Sequence, residues 1–341
     1  MGAHALSDEI AALLAAGEHS ADGITLERCA TGGNNRVFLV VTRDRRLIAK
    51  WYFTHQADNR DRLRAEYAFL SYAQALGLSC IPHPICSDPE ARLALFEFVD
   101  GRKLAAAEVG EEEVNAALEF FLALNLPAHR ELAKGLTNAS EACFSLTDHF
   151  DMVDARLARL DGITPESNVD CEAQNLATKM RSKWSQLKEL MKHNALSLGL
   201  DPSAELPLAD RCISPSDFGF HNALMTPDGT LVFIDFEYSG WDDPAKFAND
   251  FFCQPAVPMN VSLYDAFLDR AMKFSANAAA LANRARLMRP IFQMKWCCII
   301  LNDFLPIAAQ RRRFADPMID IGHRKLAQLE LAHNRFSAIQ P

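Results

Sequence analysis

The stretch SPSDFGFHNALMTPDGTLVFIDFEYSGWDDP, residues 214–244, carries the most informative pattern in the chain. Its centre, TPDG, is a strong turn signal, because proline presets the backbone angle early in a turn and glycine suits its end. The flanking runs ALMT and TLVFID are short and apolar, so we predict an antiparallel hairpin. Asn222 at the start of the first strand and Asp235 after the second then lie close together.

An amide oxygen and a carboxylate at the open end of a hairpin suit Mg²⁺, which takes few protein ligands and leaves other positions to water and phosphates. Asp217, five residues before Asn222, is placed to accept a proton from a substrate hydroxyl. Glu237, two residues after Asp235, points to the same side of an extended chain and is predicted to support a second metal ion. The stretch therefore predicts a metal-assisted site with one carboxylate base.

A glycine-rich segment, TGGNN, precedes a β-branched strand near the start of the chain. Gly32 and Gly33 can adopt backbone angles closed to other residues, so that amide N–H groups, including those of Asn34 and Asn35, can approach a phosphate closely. The same residues are also ordinary turn formers. Taken alone, the segment leaves both interpretations open.

Lys50 and Glu66 are the second candidate pair. Lys50 lies in the strand run LIAKWY, and Glu66 lies on or beside the apolar face of a helix, three residues after Leu63 and four before Leu70. A carboxylate there is costly unless it is paired. We expect a Lys50–Glu66 ion pair that directs the ammonium at a nucleotide's phosphates; the alternative is pairing of Glu66 with Arg62 on its own helix.

The predicted secondary structure changes near residue 100. Strand-like runs and one helix, from Asp58 to Leu76, precede this point, whereas long amphipathic helices dominate after it, at 111–124, 147–160, 172–198 and from 264 onward. We predict an α+β, bilobal chain: a small antiparallel β-sheet lobe over 1–98, a hinge at 99–103 and a larger, mainly helical lobe over 104–341.

The order of these motifs resembles that of the aminoglycoside phosphotransferase and choline kinase-like family, a branch of the protein-kinase-like fold. The resemblance rests on the glycine-rich turn, strand lysine, helix glutamate, loop aspartate, asparagine five residues later and Asp-x-Glu after a hairpin. It spans roughly residues 25–250 and includes the hinge-like LFEFVDG.

The resemblance implies an ATP-dependent kinase that uses Mg²⁺. Residues 31–37 would cover the ATP phosphates, Lys50 would contact them while held by Glu66, and backbone groups near Glu97 and Phe98 would meet adenine. Asp217 would be the catalytic base, with Asn222 and Asp235 on the metal ion.

The sequence departs from the family in the catalytic loop. Pro215-Ser216 stands where His-Gly usually precedes the base, and Gly219 stands where a histidine commonly follows it. His221 either takes over part of the orienting task or packs the loop. Asp243-Pro244 fits the family and is also a helix cap followed by proline at the first helical position, so we interpret this pair as structural.

The acceptor site is expected between the catalytic loop and the C-terminal helices. Tyr238 and Trp241 beside Asp242 either cage a cation or a sugar ring, or anchor the loop. Lys295 and Asn302 share one helical face in an apolar run and suit a polyhydroxylated or anionic acceptor. We favour a sugar or related polyol; a choline, ethanolamine or aminoglycoside kinase is the alternative, and a regulatory nucleotide-binding pseudokinase is the alternative of another class.

The composition of the chain limits the kinds of partner that we expect for the protein. The net charge of −9 disfavours nucleic acid and anionic membranes, and no apolar run reaches membrane-spanning length. Nine scattered cysteines without a C-x-x-C pair indicate reduced thiols. The N-terminus predicts a capped surface helix starting near Ser7. We expect a cytoplasmic enzyme with a small-molecule hydroxyl acceptor and no obligate protein partner.

Overall fold

A five-stranded antiparallel sheet organises the N-terminal part of the chain, in a computed structural model that describes residues 3–29, 35–56, 58 and 60–340. The strand order is β1-β2-β3-β5-β4, and each neighbouring pair is antiparallel. Its strands are β1 (Thr25–Cys29), β2 (Arg36–Val41), β3 (Arg46–Trp51), β4 (Pro84–Asp88) and β5 (Leu93–Glu97). The predicted antiparallel sheet is confirmed.

Two helices accompany this sheet. Helix α2 (Arg62–Ala75) begins at Asp61, whose side chain accepts a hydrogen bond from the Arg64 amide. Helix α1 (Ala3–Ala16) begins before the predicted start near Ser7. The expectation of a surface helix is confirmed: one face of α1 packs on the apolar cluster of the sheet, because apolar side chains recur every four residues at Leu6, Ile10 and Leu14, and the other described side chains are exposed or half-buried.

The C-terminal part is mainly helical, as predicted. Helices α7 and α9 pack closely at its centre, and aromatic side chains fill much of the core around them. Its helices are α3 (Glu111–Leu124), α4 (Pro127–Arg130), α5 (Leu146–Arg159), α6 (Asn168–Ser197), α7 (Pro244–Cys253), α8 (Tyr264–Ala271), α9 (Ala278–Ile300), α10 (Pro306–Ala315) and α11 (Ile321–Ser337).

Short strands interrupt the helices and carry the loops of interest. The predicted hairpin is confirmed: β8 pairs antiparallel with β9, and Ala223 lies opposite Phe233. The outer edge of β8 pairs with β6, which falls within the predicted hinge at 99–103, while β7 pairs with β10 elsewhere. The strands are β6 (Arg102–Lys103), β7 (Cys212–Ser214), β8 (Ala223–Met225), β9 (Leu231–Phe233) and β10 (Gly240–Asp242).

Helix α10 returns the chain to the first sheet. The Phe314 ring lies edge-on to Trp51 and Phe53, with centroids 5.7 and 5.4 Å apart. Arg36 of β2 donates a hydrogen bond of 2.9 Å to the Phe314 carbonyl and places its guanidinium 4.5 Å over the Phe314 ring. The helical part therefore contacts the sheet through its own C-terminal region as well as through the cleft.

Two further expectations concern thiols and membranes. All nine cysteines are unpaired, and five of them are buried, as expected of reduced thiols. Over the described ranges no single helix is long and apolar enough to span a bilayer; one bent pair, Ala278–Phe304 with Pro306–Ala315, meets the length and composition criteria together.

The aromatic core makes a stability prediction. Phe121 is fully buried and stacks on Phe247 with ring centroids 3.8 Å apart. Phe121→Ala is expected to lower the free energy of unfolding by about 3–5 kcal/mol, because it removes apolar burial and leaves a cavity. Urea denaturation measures this change. Leu132→Ala, at a side chain that is 63% exposed, is the control; equal midpoints for the two variants would contradict the assigned core.

Candidate active site

Lys50 is held between two carboxylates from different parts of the chain. Its Nζ lies 2.5 Å from Glu66 Oε1 on α2 and 2.8 Å from Asp235 Oδ1 after β9. The predicted Lys50–Glu66 ion pair is present, and the alternative partner of Glu66, Arg62, is bound to Asp58 instead. Burial by itself would lower the pKa of Lys50, but Asp235 and Glu66 raise it well above its ordinary value. Lys50 is therefore a permanent cation.

The Glu66 carboxylate is a fully satisfied buried acceptor. Besides Lys50 it accepts hydrogen bonds from the Tyr52 hydroxyl at 2.6 Å and from the Phe236 amide at 3.2 Å. The Phe236 contact fixes the backbone directly after Asp235, which has a φ of 69°, in the left-handed region that residues other than glycine seldom adopt. Glu66 thus positions both Lys50 and the loop that carries Asp235.

Asn222 ties the catalytic loop to the hairpin. Its side-chain N–H donates to the Asp217 carbonyl at 2.9 Å, and its own carbonyl accepts from the Ile234 amide at 2.9 Å. The amide group of Asn222 and the carboxylate of Asp235 line the same cleft. Since amide and carboxylate oxygens are hard ligands, this pair fits Mg²⁺. No group of three or more His, Cys, Asp or Glu able to hold a metal occurs among the described residues, so phosphate and water would complete the shell.

Asp217 faces the cleft with 35% of its side chain exposed, and its Oδ1 lies 3.4 Å from His221 Nε2. Burial raises the pKa of the Asp217 carboxyl, but the hydrogen bond and charge of His221, with the charges of Lys295 and Lys246, lower it below its ordinary value. The carboxylate is therefore ionised at neutral pH, as a base requires.

Gly219 makes room for the His221 ring. A Cβ at position 219 would lie only 2.8 Å from His221 Nδ1, closer than real contacts allow. In the part of the chain that the structure describes, Nδ1 has no hydrogen-bond partner. The glycine that replaces the family histidine thus allows the imidazole of His221 to approach Asp217 from two residues further along the chain.

Ser216 and Lys246 form a second support for the loop, which the sequence did not reveal. Ser216 has a φ of 65°, a conformation that costs a residue other than glycine roughly 1 kcal/mol. Its hydroxyl accepts a hydrogen bond of 2.9 Å from Lys246 Nζ, which also donates to Asp242 at 2.6 Å. The lysine compensates for the serine that stands at the family's glycine position.

Only some of the predicted nucleotide-binding residues are described by the structure. Gly32, Gly33 and Asn34 lie outside the described residues. Glu97 and Phe98 line the cleft, and the Glu97 amide donates to the His83 carbonyl at 2.9 Å.

Asn35 lines the cleft, so its contact with a nucleotide stays a prediction, whereas Glu237 differs from its predicted role. Asn35 is buried, accepts from the Phe53 amide at 3.1 Å and donates to the Glu237 carboxylate. Glu237 is 2% exposed, lies 3.7 Å from Arg62 and is not among the described residues that line the cleft. Because its oxygens face α2 and Asn35, Glu237 braces the loop after β9 instead of supporting a second metal ion.

Some of the predicted acceptor residues line the cleft and others do not. Tyr238, Lys295 and Asn302 line the cleft, whereas Trp241 and Asp242 do not belong to its lining over the described chain. Trp241 donates its indole N–H to the Ala133 carbonyl at 3.1 Å. The predicted cage is therefore not formed, because residues 240–242 pair as a strand with β7 and turn away from the cleft.

Two of these charged side chains are committed to buried partners. Asp242 is fully buried and binds Lys246. Lys295 lies in the cleft wall but is paired with Asp250 at 2.6 Å. Neither side chain is a free charge for a ligand. Asp243, predicted to be structural, caps α7 by accepting from the Ala245 amide, and Pro244 follows at the first helical position.

The cleft has a volume of about 1370 Å³ and extends from β3 and the hinge to α5, α9 and α10. This is ample for a nucleotide with a second small molecule. Several of its basic residues come from three separate segments and were not singled out by any sequence motif: Arg60, Arg156, Arg159 and Arg311.

An antiparallel sheet above a helical region, with a strand lysine bridging to a helix glutamate and a hairpin aspartate, defines the protein-kinase-like class. The model of the phosphotransferase enzyme family (APH) matches residues 25–246, about two thirds of the chain. The chain belongs to this family and is a phosphotransferase with a hydroxyl group as acceptor.

Solved structures support the fold. A choline kinase from Cryptosporidium parvum Iowa II superposes with a TM-score of 0.59 at 14% identity, covering 97% of this chain and 95% of that one. The choline kinase LicA from Streptococcus pneumoniae gives 0.56 at 15%, covering 98% of both chains. The streptomycin–ATP complex of the phosphotransferase APH(2")-IIa gives 0.54 at 12%, covering 97% and 96%. No curated protein matches the sequence.

His221 is expected to act as a positioning residue for Asp217. His221→Ala should lower kcat/KM roughly tenfold, the effect of losing a hydrogen bond of about 1.4 kcal/mol. It should also move the acidic limb of the kcat/KM profile to higher pH, because removing His221 raises the pKa of Asp217 and the ionised base is then lost sooner as pH falls. ADP release from Mg·ATP as a function of pH measures both effects.

A matched pair of glycine variants controls this prediction. Gly219→Ala should act in the same direction by displacing the imidazole, whereas Gly135→Ala, where a Cβ meets nothing within 4 Å, should match the unmodified protein. An unchanged acidic limb in both His221→Ala and Gly219→Ala would leave His221 as loop packing only.

Proposed function

We propose that the protein transfers the γ-phosphoryl group of ATP to a hydroxyl of a small acceptor, a sugar or related polyol. One observation carries the proposal: Lys50 lies between Glu66 and Asp235 in the cleft that also exposes Asp217. Two carboxylates around one ammonium leave a local negative charge, which suits a divalent cation, while the ammonium itself suits phosphate oxygens.

The nucleotide would lie under the sheet. In this proposal residues 1–98 form the nucleotide-binding lobe, 99–103 the hinge and 104–341 the lobe with the catalytic loop. Lys50 contacts the α- and β-phosphates, and the backbone near Glu97 and Phe98 meets adenine. Mg²⁺, held by Asn222 and Asp235, neutralises charge on the phosphates when bound.

Asp217 orients the acceptor and takes its proton. The hydroxyl oxygen forms a bond to the γ-phosphorus while the bond from that phosphorus to the β–γ bridging oxygen breaks, so that ADP leaves. The hydroxyl proton passes to Asp217, whose lowered pKa keeps it ionised beforehand. His221, Asn222 and Lys246 contribute by fixing the loop on which the base lies.

A neutral or anionic acceptor fits the cleft better than a cation. The structural neighbours named above include choline kinases, and choline is a cation. Here, however, the aromatic pair that would cage a cation is split, since Trp241 turns away from Tyr238. Tyr238 and Asn302 instead offer hydrogen-bonding groups for hydroxyls.

Asp217→Asn and Asp235→Asn are each expected to reduce turnover by roughly 10²–10⁴ while leaving a folded protein, because each retains the side-chain shape but loses the carboxylate that acts as base or metal ligand. Initial rates of ADP release with Mg·ATP measure the effect. Asp228→Asn, at the exposed tip of the same hairpin, is the control and should keep full activity. A near-normal rate in either test variant removes that residue from the mechanism.

A labelling experiment separates the classes of function. A panel of sugars, polyols, amino alcohols and aminoglycosides is incubated with Mg·ATP carrying the label on either the α- or the γ-phosphate. Label transfer from γ- but not α-labelled ATP is expected. Transfer from the α position indicates nucleotidyl transfer, and ATP binding without hydrolysis or transfer favours the regulatory pseudokinase.

A further inference from the structure

Four arginines form one wall of the cleft. This arginine wall consists of Arg60, just before α2, Arg156 and Arg159 on α5, and Arg311 on α10. The four residues line the same cavity as Asp217 and Tyr238. Because they come from three distant segments, the fold and not a local basic run brings them together.

Carboxylates only partly balance the wall. Glu141 serves two arginines: it contacts Arg156 directly, and its Oε1 lies 3.8 Å from Arg159. Burial raises the pKa of Glu141, but these arginines and Lys295 lower it to about 2, so it is always charged.

Asp58 is shared in the same way. It binds Arg60 through two hydrogen bonds of 2.6 and 2.7 Å and also binds Arg62. Two carboxylates therefore face the four arginines of the wall, and one of the two is also engaged by Arg62. An excess of positive charge remains on this side of the cleft.

In the described chain, three further carboxylates near the wall already have cationic partners of their own. Lys246 and Lys295 already occupy Asp242 and Asp250. Asp303 is bound by both Arg312, at 3.3 Å, and Arg324, at 2.5 Å.

Arg311 gives the clearest indication of an anion-binding site. In the described chain, its Nε is buried and has no hydrogen-bond partner, and the Nε of Arg156 is in the same condition. Burial lowers the pKa of Arg311, and the charges of Arg312, Arg60 and Arg62 lower it further, while Tyr238 opposes the shift. Buried donors without partners and crowded like charges are both unfavourable, and a bound anion relieves both.

We propose that the acceptor carries an anionic group, a carboxylate or a phosphate, beside the hydroxyl that is phosphorylated, and that Arg311 and Arg159 of the arginine wall bind this group. The proposal rests on the proposed function and names its substrate class. A guanidinium offers paired donors that match the oxygens of either group. Arg60, whose guanidinium lies 5.3 Å from the centre of the Tyr238 ring, is close enough for its positive charge to act on both Arg159 and Arg311.

The same wall selects against cations. A quaternary or primary ammonium placed here meets like charges in a partly dehydrated cleft, which costs binding energy and contributes specificity. The proposal therefore separates this protein from a choline- or aminoglycoside-type acceptor on electrostatic grounds alone.

Matched acceptors test the proposal. Glycerol, glycerate and glycerol phosphate, and glucose, gluconate and glucose phosphate, differ mainly in the anionic group; choline and ethanolamine supply the cationic arm. Transfer from γ-labelled ATP is expected with kcat/KM at least about tenfold higher for an anionic member than for its neutral partner. The two anionic arms distinguish carboxylate from phosphate. Preference for a neutral or cationic acceptor overturns the proposal but leaves the kinase function intact.

Arg311→Gln tests the residue itself. It should raise the KM of the anionic acceptor about 10- to 100-fold, since a hydrogen bond to a charged group is lost, and should change the KM of the neutral partner much less. Arg313→Gln, on the same helix but exposed and outside the cleft lining, is the control and should behave as the unmodified protein. Thermal midpoints establish that both variants are folded.

Three further results decide the outcome. Partial recovery of the acceptor KM in Arg311→Lys supports an electrostatic role for this position. An effect of Arg311→Gln on the KM of ATP alone overturns the proposal, because the wall then serves the nucleotide phosphates. Failure of any acceptor to receive label from γ-labelled ATP refutes the proposed function itself, which is a different result from transfer to the wrong class of acceptor.

Discussion

The ammonium of Lys50 between Glu66 and Asp235 is the interaction on which the site depends. It joins the central strand of the sheet, helix α2 and the loop after the hairpin, and further hydrogen bonds from Tyr52 and the Phe236 amide to Glu66 support the same junction. Removing one charge would leave the others partly buried and uncompensated, which is strongly unfavourable in a dehydrated environment. The triplet therefore fixes the position of the sheet relative to the hairpin of β8 and β9, and the rest of the cleft is placed with respect to it.

Local physical rules were sufficient to predict the Lys50–Glu66 pair and much of the fold, but not the contact of Lys50 with Asp235. A glutamate on an apolar helical face needs a partner, so the Lys50–Glu66 pair followed from sequence spacing. A proline and a glycine in TPDG marked the hairpin, and the apolar periodicity of the later helices gave their bounds to within a few residues. These signals are all short in range, because each is set by residues within one turn of structure.

Contacts between distant segments were beyond such rules. Trp241 and Asp242 follow the metal site in sequence, yet they pair with β7, nearly thirty residues earlier, and so leave the cleft. The arginine wall was missed for a related reason: its members come from the start of α2, from α5 and from α10. Lys295 lies in the cleft wall as predicted, but its charge is already neutralised by Asp250, which helical periodicity does not reveal. The loop around Asp217 shows the same limit. Ser216, at the family's glycine position, acts through its hydrogen bond with Lys246, and Gly219, at a family histidine position, acts by allowing His221 to approach Asp217.

Helix α10 carries Arg311 of the wall and, three residues later, Phe314, which packs on Trp51 of β3 and on Phe53 just after that strand. Helix α10 therefore connects the cleft wall that we propose binds the acceptor with the sheet that we propose covers the nucleotide. A motion that widens the cleft would either break the contacts of Phe314 with Trp51 and Phe53 or require α10 to move together with the sheet. Under the proposed function, entry of the acceptor and release of ADP would both depend on α10, a segment that lies beyond the family's matched region.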